Sequence, residues 1–192
     1  MKKLLKAFMI GIALLAGTAS QAVAQNIVTI KGAGYGGSGC PNNSASVTVS
    51  PDGQVLTILF DKYSADAQNA ATRRLSCNLS IPIFVPNGFQ ISLYDADYRG
   101  YVAPQTSGTL RSEYFFAGGR GPVFQETFYG ETSYDKTDSL ATVANVWSAC
   151  GASVNMRVNT SMVANGLGVA TVDSFDLTHR GMIYHIKYRT CR

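Results

Sequence analysis

Three pairs of aspartates are the first groups in this sequence that could do chemistry: Asp95 with Asp97, Asp135 with Asp138, and Asp173 with Asp176. Paired carboxylates can hold calcium, or act as acid and base in glycoside cleavage. In Tyr94-Asp95-Ala96-Asp97-Tyr98 the two acids would project from one face of an extended strand, because side chains two apart point the same way. The other two pairs fall in turn-like segments, where an aspartate ordinarily bonds its own backbone. EF-hand spacing is absent.

Nucleophilic chemistry finds little support. No serine sits in a G-x-S-x-G elbow. The only histidines are His179 and His185, and a general base needs a partner within hydrogen-bond reach. Gly32, Gly34 and Gly37 spell G-x-G-x-x-G after the apolar run Ile27–Ile30. A dinucleotide site also needs a helix directly after the glycines, with its N-terminus facing the pyrophosphate. Here Cys40-Pro41-Asn42-Asn43 follows, and then strand-like residues, so the glycines read as a flexible approach to a cysteine. No cofactor and no metal are expected; with only two histidines and no C-x-x-C pair, zinc is poorly served.

Binding chemistry has better material. In Met182–Arg189, alternation puts His185, Lys187 and Arg189 on one face, a small basic stripe suited to an acidic glycan or a phosphate. Tyr98, Arg99 and Tyr101 combine aromatic rings with a guanidinium, a combination suited to sugar stacking or protein contact. These six residues are the candidate ligand-binding set. Tyr114-Phe115-Phe116 cannot all face one side of a strand, so at least one ring lies outside the core.

Cys40, Cys77, Cys150 and Cys191 complete the chemically active residues. The N-terminus says which compartment they meet. Met1–Lys6 is basic, Ala7–Gly17 is almost wholly apolar, and Ala22-Val23-Ala24 offers a small-x-small cleavage pattern. This predicts a signal peptide over 1–24 and an exported protein, extracellular or, in a diderm bacterium, periplasmic. Four cysteines then favour two disulfides. Of three possible connectivities, Cys40–Cys77 with Cys150–Cys191 is favoured, one staple in each half of the chain, with Trp147 packed against the second.

Removing 24 residues from 192 leaves 168, the size of one domain with a real core. Three lysines leave with the leader, so the remainder carries 13 basic residues against 12 acidic. That near-neutral balance gives no reason to expect nucleic acid as a partner. No further apolar run is long enough for a helical membrane span.

The elements that must position these groups are strands. Ser44–Ser50 and Gln54–Phe60 flank Pro51-Asp52-Gly53, a hairpin in which Pro sets φ and Gly takes positive φ. Alternation places Leu75, Cys77, Leu79 and Ile81 on a single buried face. Further strands are expected over 89–94, 109–116, 123–134, 141–147, 152–160 and 182–189. One short helix is expected over Ala65–Arg74, capped by Ser64. The fold class is all-β, a two-sheet β-sandwich (jelly-roll or Ig-like) with one short helix and two disulfides.

Several motifs occur in a characteristic order: Gly37-Ser38-Gly39-Cys40-Pro41, Arg73-Arg74-Leu75-Ser76-Cys77-Asn78-Leu79, Pro86-Asn87-Gly88-Phe89-Gln90, Tyr98-Arg99-Gly100-Tyr101, Trp147-Ser148-Ala149-Cys150-Gly151 and Tyr188-Arg189-Thr190-Cys191. The set resembles a secreted family of bacteria and fungi known only as a domain of unknown function, DUF4360-like. The resemblance implies an exported, disulfide-stapled domain and brings no catalytic residue with it.

The functional expectation is a non-catalytic extracellular module that binds a surface polysaccharide or a protein. The alternatives are a secreted hydrolase using carboxylates such as Asp95 and Asp97, and an inhibitor or effector-like protein. Oligomeric state is left open.

Overall fold

The computed structural model describes residues 28–92, 95–140, 147–151, 153–178 and 188–191. They form two large antiparallel sheets and a small two-stranded one. The first sheet contains β1 (Thr29–Ile30), β2 (Gly34–Gly36), β6 (Arg74–Phe84), β9 (Thr106–Phe116), β10 (Val123–Tyr129) and β12 (Val154–Gly166). Its order is β1-β6-β12-β9-β10, with β2 also pairing with β6. The second contains β3 (Ala45–Val49), β4 (Val55–Phe60), β5 (Ser64–Asp66), β8 (Asp95–Val102), β11 (Thr132–Asp138), β13 (Val169–Thr171) and β14 (Ser174–Thr178). Its order is β3-β4-β14-β8-β13-β5, with β11 on β8. The third pairs β7 (Phe89–Ile91) with β15 (Tyr188–Thr190).

Period-two burial fixes which face of each strand turns inward. In β6, Leu75, Cys77, Leu79, Ile81 and Ile83 are buried while the residues between them face outward. β9 and β12 alternate likewise, burying Leu110 and Tyr114, and Met156, Val158 and Met162. The second sheet answers with Leu56, Ile58, Ala96, Tyr98, Val102, Phe175 and Leu177. The inner faces touch. Tyr63 and Thr160 share a hydrogen bond of 2.9 Å, and the hydroxyls of Tyr98 and Tyr114 lie 2.7 Å apart. A Cβ on Gly108 would come within 2.7 Å of Ala170 Cβ, so glycine lets the sheets close at that point.

Both disulfides pair as favoured, Cys40 with Cys77 and Cys150 with Cys191. The hairpin at Pro51-Asp52-Gly53 is present, with Gly53 at φ 69°.

Other expectations need correction. Residues 64–74 are not a helix. Ser64–Asp66 is a strand paired with β13, and it buries Ala65 completely. The side chains of Asp66 and Asn69 then accept from the backbone N–H groups of Gln68 and Ala71, which closes tight turns in place of helical ones. Residues 123–134 are two strands, and the turn at Gly130-Glu131 carries the chain from one sheet to the other. Phe128 and Tyr134 stack across that passage with centroids 4.0 Å apart. The strand expected over 152–160 runs on to Gly166. Residues 141–146 and 182–187 lie outside the described residues, and Trp147 forms a bridge with Ser92.

The glycine-rich stretch is a strand and not a flexible approach. Gly34–Gly36 pairs with Asn78–Ser80 of β6. A Cβ on Gly37 would lie 2.2 Å from the Ser76 carbonyl oxygen, and one on Gly39 would lie 2.4 Å from the Tyr63 ring. These two glycines let the chain lie flat on β6 and deliver Cys40 to Cys77.

Candidate functional site

Three of the six expected ligand-binding residues, Tyr98, Arg99 and Tyr101, stand on β8, and they do not share one face. Alternation along β8 turns Tyr98 inward and Arg99 outward. Tyr98 is 1% exposed, so it cannot meet a ligand, and it belongs to the core instead. The reason is its position opposite Phe175 of β14, whose ring it meets at 5.1 Å between centroids. Arg99 does reach the surface, but Asp135 holds its Nε at 3.3 Å and Asp176 its Nη1 at 3.5 Å. Tyr101 is half-buried on the same outer face. His185 and Lys187 lie outside the described residues, and Arg189 stands in β15 opposite Gln90.

The carboxylates are mostly occupied. Asp95 and Asp97 share the outer face of β8, as expected, yet Asp97 is 4% exposed and accepts from Thr137 Oγ1 at 2.5 Å. Asp176 lies opposite Asp97 and accepts from Thr57 Oγ1 at 2.6 Å. Asp135 and Asp138 sit in β11, not in a turn. Among the described residues no group of His, Cys, Asp and Glu could hold a metal ion.

Asp138 is wholly internal and anchors a polar network between the sheets. Lys136 Nζ donates to its Oδ1, and Ser112 and Tyr114 donate to its Oδ2, the latter at 2.6 Å. Nζ also lies 5.7 Å from the Tyr98 ring centroid and 5.6 Å from that of Phe124. Burial raises the hydroxyl pKa of Tyr98 and Tyr114 well above the usual phenol range, and the Asp138 charge adds to both. Every partner in this network is enclosed, so its role is to tie the sheets together.

The outer face of the first sheet is different, and sequence reasoning did not single it out. Its three long strands present there the residues that alternate with the core. β6 contributes Ser76, Asn78 and Ser80; β12 contributes Asn155, Arg157, Asn159 and Ser161; β9 contributes Arg111, Glu113 and Phe115. Register aligns them in rows across the sheet: Asn78, Asn159 and Glu113; Ser76, Ser161 and Arg111; Ser80, Arg157 and Phe115. Gln125 of β10, opposite Arg111, extends the row of Ser76, Ser161 and Arg111. Ser80 donates to Asn155 at 2.9 Å, and Arg111 meets Glu113 at 3.3 Å. The side chains of Asn78, Asn159, Gln125 and Arg157 have no partner among the described residues. Aromatic rings mark both ends. Phe115 is half-buried beside Arg157, and Tyr129, 73% exposed, stands opposite Ser107. Eight residues of β9 separate those ends, roughly 27 Å at about 3.4 Å per residue. The legible signal was the polar half of the alternation in 107–115 and 155–165.

The family profile described as Domain of unknown function (DUF4360) matches residues 26–191. The chain belongs to the DUF4360 family. A relative of the DUF4360 chain is an uncharacterized secreted protein of Arthroderma benhamiae, 34% identical over 177 residues, which span 85% of this chain and 72% of the fungal one. With that relative and two disulfides, the DUF4360 protein is a secreted one. Among solved structures, TmCBM61 in complex with β-1,4-galactotriose is 11% identical, with 77% of this chain and 88% of that chain covered at a TM-score of 0.36. A family 11 carbohydrate-binding module from Clostridium thermocellum, in complex with a β-1,3-1,4-mixed-linked tetrasaccharide, is 12% identical. It covers 86% of this chain and 94% of its own at a TM-score of 0.25. Similarity this distant carries no inference about the ligand of the DUF4360 domain.

Proposed function

We propose that this DUF4360 protein is a non-catalytic extracellular binding module that engages a surface polysaccharide through the outer face of its first sheet. The reading takes the two facing sheets as a β-sandwich of the jelly-roll or Ig-like kind. One observation carries it: Asn78, Asn159 and Arg157 on the long interior strands β6 and β12, with Gln125 on the edge strand β10, keep their hydrogen-bonding capacity unspent. Sugar hydroxyls both donate and accept, and side-chain amides match them in both senses. Half-exposed Phe115 and exposed Tyr129 offer apolar surface to a sugar ring at either end. Because these groups stand on strands, the array is ordered before the ligand arrives, which lowers the entropic cost of binding.

A protein partner is the second class within the same reading. The carboxylate hydrolase is less well served, since Thr137 covers Asp97. The test is a glycan array probed with the wild-type domain and with the double variant Asn78→Ala/Asn159→Ala. Retention on at least one polysaccharide is expected, lost in the variant while its melting curve is unchanged. Turnover of a bound polymer that vanishes in Asp97→Asn would overturn the non-catalytic reading.

A further inference from the structure

Net charge hides an asymmetry that the fold creates. The cations of the first sheet gather on its outer face. Arg74, Arg111 and Arg157 stand there by alternation, Arg73 reaches it by donating to Asn165, and Lys31 reaches it over the Phe84 ring at 5.4 Å. Among the described residues of these strands, Glu113 is the one acid that alternation places with them; Glu126 points to the other side of β10. The second sheet reverses the sign. Asp95, Asp97, Asp135 and Asp176 occupy its outer face, with Arg99 between two of them.

We propose that the cationic face binds a carboxylate-bearing polysaccharide, with Arg157 as the anchoring cation. This rests on the polysaccharide-binding reading above and narrows it to uronate polymers. Arg157 is exposed and lacks an acid partner among the described residues, whereas Arg99 and Arg111 are already paired. Its planar fork matches a carboxylate through two parallel hydrogen bonds. Phe115 lies directly opposite on β9 and offers apolar surface to the sugar that carries the acid. Asn159 and Ser80 flank the guanidinium with amide and hydroxyl groups for neutral hydroxyls.

Charge density argues against nucleic acid. Along β12, Arg111 lies opposite Ser161, four residues from Arg157, and Arg74 lies opposite Val163, six residues away. At a strand rise of about 3.4 Å these are separations of roughly 14 and 20 Å. Duplex DNA carries a charge about every 1.7 Å and rewards denser clusters. A polymer with one carboxylate on each of several hydroxyl-rich units matches the sparse cations and the amides between them. The acidic second sheet would repel the same polymer, so only one side of the molecule binds.

Affinity electrophoresis in gels containing polygalacturonate, neutral galactan, dextran sulfate or duplex DNA tests this. Retardation by polygalacturonate at low salt is expected, and it should weaken as salt rises. Arg157→Ala should weaken it about tenfold or more, the effect of losing a charge-assisted hydrogen-bonded contact. Arg157→Lys keeps the charge without the fork and should fall between the two. Lys62→Ala, an equal charge change in the connection after β4, should not alter it. Equal retardation by galactan, with Arg157→Ala silent, would overturn the acidic preference and leave the polysaccharide-binding reading intact. Equal retention by dextran sulfate or DNA would make the face a generic polyanion surface and overturn the proposal as well. Retention by none of the four polymers overturns the acidic preference, and an empty glycan array besides would end the broader reading.

Discussion

The hydroxyl of Tyr114, on the first sheet, lies 2.7 Å from that of Tyr98, on the second, and donates to Asp138 at 2.6 Å. Hydrophobic packing alone would leave the two sheets free to slide over one another. This contact, closed by Ser112 and Lys136 on the same carboxylate, sets their relative position with directional bonds. Removing one charge of a buried pair leaves the other uncompensated. Lys136→Met is therefore expected to destabilise by about 3–5 kcal/mol. The double variant Lys136→Met/Asp138→Leu should lose less than Lys136→Met alone, because it removes the stranded charge. Denaturant unfolding of the three proteins checks this.

Alkaline stability follows from the same core. Burial raises the phenol pKa of Tyr63, Tyr98, Tyr114 and Tyr134 above the ordinary value of 10.0. A folded pKa above the unfolded one means the unfolded chain releases its protons first. Each phenol's contribution is thus fully present below about pH 10 and is lost as pH climbs toward the folded values. Melting temperature is expected to stay level toward pH 10 and fall steeply above it. Phenolate absorbance should show the buried rings of Tyr63, Tyr98, Tyr114 and Tyr134 ionising only as the domain unfolds.

The two disulfides should part company under reduction. Cys40 and Cys77 are wholly buried, whereas Cys150 is exposed and Cys191 half-buried. Thiol–disulfide exchange requires access to a sulfur. Mild reductant followed by alkylation and peptide mass analysis is expected to label Cys150 and Cys191 first. Cys40 and Cys77 should be labelled only when the domain unfolds. Replacing the first bridge by Cys40→Ala/Cys77→Ala should cost roughly 2–5 kcal/mol.

Glycine substitutions discriminate a closely packed strand from a loose loop. Gly39→Ala would drive a methyl into the Tyr63 ring, and Gly37→Ala would drive one into the Ser76 carbonyl. Losses of about 1–3 kcal/mol are expected for each, as for other overpacked sites. Gly36→Ala meets nothing within 4 Å and should be nearly silent. Thermal unfolding of the three single variants gives the comparison.

Much of the fold was legible because its signals are local. Alternation in 75–81 predicted the inner face of β6, Pro51-Asp52-Gly53 predicted the first hairpin, and the cysteine spacing led to the observed bridges. The helix expected over 65–74 failed because propensity is weak next to strand pairing. Ala65 gains a buried position against Ala170 that no isolated helix could offer it. The break at Gly130-Glu131 was likewise hidden, since the residues on either side read as one extended run and only pairing assigns them to different sheets.

The candidate site shows the same division more sharply. By itself the sequence determined which residues of a strand share a side, because extended chain repeats every two residues wherever it lies. It could not say which side becomes the core, so Tyr98 looked as available as Tyr101. Nor could it bring Arg157, Phe115 and Ser80 into one row, since they come from three strands separated by dozens of residues. Only sheet order and register decide that juxtaposition. They are set by long-range packing of whole faces, which no window of sequence contains.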